Sequence, residues 1–153
     1  MLNRAVLILR YKQPFVDWIN AADPNPTHTI TLADVNEDST AYLVEVEDEK
    51  EFKAWFKLNG AILFEDELNG WYTDPDLWPQ DRSAALFKQW CTFELHTLVY
   101  DTGGSPLFDD EAGLSGIERK QRRAQQRHFL HGDCRRYRAD ILDARRAIGL
   151  RAV

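Results

Sequence analysis

The chain opens on an unbroken apolar run, Ala5 to Leu9 in "AVLILR", with no polar alternation inside it. Such a run predicts a strand covered on both faces. The pattern then changes period: in "KQPFVDWIN" the residues Phe15, Trp18 and Ile19 fall at i, i+3 and i+4, with Pro14 where a first helical turn tolerates it. "DPNP" closes this predicted helix. The following "THTITLADVNEDS" reads two ways, as a short edge strand over 27–32 or as a single helical turn capped by Thr29 and ending at Val35, with the turn preferred. Residues 41–46 are β-rich, and Asp48 with Glu51 makes a capping-box-like start for a helix whose Phe52, Trp55 and Phe56 share a face. Gly60 is expected to end that helix and "AILFEDEL" to form a second one, ended by Gly70. Asp81 is expected to cap "RSAALFKQW", with Leu86, Phe87 and Trp90 inward. The strand over 93–100 then alternates Phe93, Leu95, Thr97 and Val99 against Glu94, His96, Leu98 and Tyr100.

Strand and helix segments in this order predict an α/β (α+β) domain, a small sheet of three to four strands covered by helices. A ferredoxin-like arrangement is the alternative, and it requires residues 27–32 as the fourth strand. After Gly113 the pattern is helical throughout. Ser115 and Glu118 form a capping box opening "IERKQRRAQQRHFLH", Gly132 stops it, and Asp133 can cap a second helix ended by Gly149. A basic C-terminal helical hairpin is therefore predicted.

Charge supports a boundary there. Residues 1–112 carry 21 acidic and 8 basic side chains, a balance of −13, whereas residues 113–153 carry 4 acidic and 11 basic, a balance of +7. We read 1–112 as an acidic α/β domain and 113–153 as a basic helical extension. Three partners are expected for the extension: the acidic domain of the same chain, a second copy, or a polyanion such as nucleic acid met through Arg119, Arg122, Arg123, Arg135 and Arg136. An apolar run of five residues between arginines is neither a signal peptide nor a membrane span, so a cytoplasmic protein with no membrane partner is expected, with Cys91 and Cys134 as thiols.

Candidate chemistry is sparse. Glu94 and His96 project to one face of the last strand and could act as an acid/base pair with Asp74, but no nucleophile elbow and no glycine-rich phosphate loop accompanies them. "HFLHGDC" places His128, His131 and Cys134 at suggestive spacing, with Asp133 near, yet Gly132 interrupts their alignment, and no metal and no cofactor is expected. The acidic runs "EDEKE" at 47–51 and "EDE" at 65–67 lack the alternation of a calcium loop and read as solvated helix faces.

The densest stretch is "GWYTDPDLWPQDR" at 70–82. Trp71, Tyr72, Asp74, Asp76 and Trp78 are the candidate binding residues, because interfaces enrich large rigid aromatics. Trp71 and Trp78 read in the first place as core pins of the loop, which leaves Tyr72, Asp74 and Asp76 most available. With "RAVLILRYKQPFVDWIN" and "NEDSTAYLV", this block resembles a family of small bacterial proteins that share K-Q-P-F-x-D-W, N-E-D-x-T-A-Y-L and W-Y-T-D-x-x-x-W-P segments. The resemblance spans about residues 3–101 and carries no assigned activity. The expectation is a soluble, non-catalytic module that binds another protein through residues 71–78.

Overall fold

The computed structural model describes residues 1–24, 26, 28–107 and 113–119. The elements are β1 (Ala5–Tyr11), α1 (Gln13–Ala22), α2 (Leu32–Val35), β2 (Ala41–Val44), α3 (Glu49–Trp71), α4 (Ala84–Trp90) and β3 (Cys91–His96), with a 3-10 turn at Pro75–Leu77. The strands form one antiparallel sheet in the order β2-β1-β3. The fold is thus mixed α/β, as expected, with helices packed on one side of the sheet.

The central strand is covered on one face rather than two. Ala5, Leu7, Leu9 and Tyr11 are buried, whereas Val6 and Ile8 are half-buried and Arg10 is exposed. An uninterrupted apolar run therefore disguises an alternating strand, because Val6 and Ile8 are sheltered only by their neighbours in β2 and β3. The covered face meets an aromatic core. Phe15, Phe56, Phe64 and Phe87 are fully buried, and the rings of Phe64 and Phe87 stack at 4.7 Å while Phe93 stands edge-on to Phe56 at 4.8 Å. Each such side chain contributes about 1.5–3 kcal/mol by burial.

Local chemistry explains most boundaries. Pro14 lies in the first turn of α1, where its missing N–H costs nothing. The helical turn α2 forms in place of a fourth strand, and its cap is Thr31 rather than Thr29: Thr31 accepts from the Asp34 amide at 3.3 Å while Asp34 accepts from the Thr31 amide at 2.9 Å. Two asparagines then satisfy backbone groups that a strand would otherwise have paired. Asn20 bonds both the N–H and the C=O of Ile30, and Asn36 does the same for Tyr11. The fourth strand of a ferredoxin-like sheet is therefore not formed among the described residues. β2 stops at Val44 and β3 at His96, both earlier than the sequence pattern implies.

Asp48 caps α3 through the Glu51 amide at 2.8 Å. That helix then runs unbroken past Gly60 to Trp71. A Cβ on Gly60 would lie 2.8 Å from Cε1 of Phe56 and 2.9 Å from Cβ of Ala84, so this glycine marks a close approach of α4 to α3 rather than an end. Ser83, not Asp81, caps α4, accepting from the Leu86 amide at 3.2 Å; Asp81 instead accepts from the Ser83 amide at 2.8 Å. Of the side chains expected inward on α4, Phe87 is buried and Leu86 and Trp90 are half-buried.

Ser115 and Glu118 form the expected reciprocal cap at the edge of the described region, with Glu118 accepting from the Ser115 amide at 2.7 Å and Ser115 from the Glu118 amide at 3.3 Å. Hydrogen bonding by the Ser115 side chain, and next by its amide, holds the Glu118 carboxyl below its usual range. The rest of the predicted hairpin, with Arg122, Arg123, Arg135 and Arg136 and the His128, His131, Cys134 cluster, lies outside the described residues. No helix among those described is long and apolar enough to cross a membrane.

Candidate functional site

The aromatic loop is fastened to α1. The Trp18 indole donates to the Leu77 carbonyl at 2.9 Å, the Tyr72 hydroxyl donates to the Ile19 carbonyl at 2.7 Å, and the Trp78 indole donates to the Tyr72 carbonyl at 2.7 Å. Trp18 and Tyr72 also meet edge-to-face at 5.5 Å. Trp71 is buried at 5% exposure and so is not available as a surface contact, and Tyr72 and Trp78 are half-buried with their polar tips engaged. This corrects the reading of Trp71 as a binding residue: its indole N–H is directed inward, to the Tyr11 hydroxyl at 3.2 Å. Asp74 caps the 3-10 turn, accepting from the Asp76 amide at 3.1 Å. Asp74, Asp76 and Asp81 are the exposed acids of the stretch, and Arg82 ties its far end to Glu65 of α3 at 3.0 Å.

Burial of Tyr72, and secondarily the negative charge of Asp23, push its hydroxyl pKa up to about 12. The raised value favours the protonated, folded form, so the contribution is complete below the ordinary phenol value of about 10 and is lost as pH rises from there through 12. Urea midpoints should therefore fall steeply across that alkaline window in the wild type. Tyr72→Phe should flatten that part of the fall; equal slopes in the two proteins would show that the loop hydroxyl is not the group responsible.

Glu94 and His96 share the uncovered sheet face, as the strand alternation requires. Arg10 donates from Nε to Glu94 at 3.0 Å, and His96 Nε2 lies 4.0 Å from the other Glu94 oxygen. Asp74 does not join them. Its carboxylate accepts from the Asp76 amide within its own 3-10 turn, and its loop is bound to α1. All three of Arg10, Glu94 and His96 are about half exposed, and water has free access to each. The trio expected of an acid/base site is therefore not assembled.

A buried polar cluster went unseen in the sequence. Glu67, placed above in a solvated acidic run, has 0% exposure. Its two carboxylate oxygens accept hydrogen bonds from the hydroxyls of Tyr11, at the end of β1, and Tyr42, in β2. The Trp71 indole continues the chain into Tyr11. The signal was available: Phe56, Gly60, Leu63, Phe64, Glu67 and Trp71 recur at spacings of three and four, which sets Glu67 on the buried stripe of α3. The cluster fastens α3 to two strands, with the Glu67 carboxylate itself closed to solvent. Among the described residues no group of three or more His, Cys, Asp or Glu side chains is placed to hold a metal ion.

The uncovered sheet face has the anatomy of a contact surface. The register sets Val6 beside Leu43 and Ile8 beside Ala41, an apolar centre in which Leu43 is 50% exposed. Ion pairs flank it, Arg4 with Glu45 at 2.7 Å toward one end and Arg10 with Glu94 toward the other. A second exposed apolar pair, Leu58 and Ile62, lies on the outer side of α3. No family model, curated protein or solved structure matches the chain.

Proposed function

We propose that the chain is a non-catalytic protein-binding module and that its contact surface is the uncovered face of the sheet. The observation that carries this reading is the apolar centre of Val6, Ile8, Ala41 and Leu43 between its two ion pairs. Apolar centres with polar rims are what protein partners cover, and a sheet face with helices on one side only leaves such a centre in water. The arrangement also disfavours the enzyme reading, since Asp74 caps its own 3-10 turn while Glu94 is held by Arg10 in the open on the sheet.

Affinity capture from extract of the source cell discriminates the surfaces. Leu43→Arg should lose a partner that the wild type retains, because a charged side chain would be set in the middle of the covered patch. Leu58→Glu on α3 should retain it, as should Asp76→Ala in the loop. Retention by Leu43→Arg with loss by Asp76→Ala would move the contact to residues 71–78. Since Leu43 is half exposed, the substitution should alter folding stability by less than about 1 kcal/mol, which a urea titration checks.

A further inference from the structure

The edge of β3 supplies an inference independent of the sheet face. No described strand lies beyond β3, and Lys12 N–H donates to the Trp90 carbonyl at 2.8 Å, which fixes the phase of its ladder with β1. Even-numbered residues of β3 face β1, so Phe93 and Leu95 direct their backbone N–H and C=O groups outward. The opposite phase on the other side of β1, where Leu9 N–H donates to the Thr40 carbonyl at 3.0 Å, agrees.

Edge strands are ordinarily protected by lysine, proline, a bulge or short length. β2, the other edge, has four residues and is followed by Glu45 and Glu47. β3 has six residues, "CTFELH", with neither lysine nor proline and with a continuous register against β1. Phe93 and Leu95 remain half-buried although they point to the helical side.

We infer that β3 pairs antiparallel with β3 of a second copy, making one continuous sheet across a twofold axis at Leu95. Charge selects this register. Outward groups on both strands must be odd-numbered, and a register centred on Glu94 would set Glu94 against the partner's Glu94, two like charges directly opposed. Centred on Leu95, Glu94 faces the partner's His96 and His96 faces the partner's Glu94. Both contacts fall at non-hydrogen-bonded positions, where opposite side chains approach most closely. On the helical side Leu95 meets the partner's Leu95, and Phe93 meets the partner's Thr97. Arg10 holds one oxygen of Glu94 and leaves the second, already 4.0 Å from His96, for the crossing contact.

Sedimentation velocity of the full chain over a concentration series tests the pairing. A monomer–dimer equilibrium is expected. Thr97 is exposed and follows the last residue of β3 paired with β1, so Thr97→Pro should set its ring against the partner strand, abolish the dimer and leave the far-ultraviolet circular dichroism and the melting of the monomer unchanged. His96→Glu should weaken the dimer about tenfold or more, while His96→Lys should preserve it, a difference in sign that loss of a merely structural histidine would not produce. A monomer at every concentration, or a dimer indifferent to Thr97→Pro and to both His96 variants, would overturn the inference. Neither outcome bears on the Leu43 face, whose capture test uses a different surface.

Discussion

Glu67→Ala should lower folding stability by about 2–4 kcal/mol, a large share of the roughly 5–15 kcal/mol that holds an ordinary domain. The substitution strips the acceptor from the hydroxyls of Tyr11 and Tyr42 and leaves a void at a fully buried position of α3. The two tyrosines do not suffer equally. Tyr42 is half-buried and its hydroxyl can turn to water, whereas Tyr11 is buried and also accepts from Trp71, so its stranded donor carries most of the cost. Tyr42→Phe should accordingly cost only about 1 kcal/mol. Glu67→Gln keeps the volume and one acceptor oxygen and should fall between. Urea unfolding followed by tryptophan fluorescence measures all three, with an unchanged slope confirming that the compared states are the same. Stability of Glu67→Ala within about 1 kcal/mol of wild type would show that the carboxylate is not what joins α3 to β1 and β2.

Where sequence and structure agree, the deciding interactions are local. Pro14 and the face of Phe15 and Ile19 define α1 within ten residues, the Asp48 cap begins α3, and the alternation from Phe93 to His96 needs no distant partner to be read. Differences arise either from a finer local geometry or from contacts made across the fold. Thr29 and Thr31 are equivalent as caps until Asp34 reciprocates to one of them, and Asp81 and Ser83 differ only in which amide each can reach. "AVLILR" looks buried on both faces because a central strand gains shelter from its neighbours even where no helix covers it.

The candidate site follows the same division. Trp71 and Tyr72 are conspicuous by residue type, and aromatic type does not distinguish an interface anchor from a core pin. The distinction comes from Ile19, Leu77 and Tyr11, which lie 53 to 60 residues from their donors in sequence and accept the polar tips of the loop and its partners. Glu67 errs the other way, since a glutamate in "EDE" is solvated by composition and buried by phase. The open sheet face could not be read from the residues, because whether Val6 and Leu43 are covered depends on which side the helices pack.

Gly60 gives the sharpest case of long-range packing defeating a local signal, and Gly60→Val should cost about 3 kcal/mol or more. In an isolated helix, replacing an interior glycine is favourable by up to about 1 kcal/mol, since glycine loses the most backbone freedom on folding. Here the added carbon would lie 2.8 Å from the Phe56 ring and 2.9 Å from Ala84. Phe56 cannot yield readily, for it is fully buried and packed against both Phe87 at 6.0 Å and Phe93 at 4.8 Å. α4 would have to withdraw, and with it Phe87, whose ring stacks on Phe64 at the centre of the core. Gly60→Ala sets the two effects against each other: the helix-forming gain offsets part of the steric cost, and a net loss of about 1 kcal/mol is expected. Thermal unfolding of the pair separates propensity from packing. A gain in melting temperature for Gly60→Ala would mean that α4 does not approach α3 this closely, and the glycine would then be no more than a weak point in a long helix.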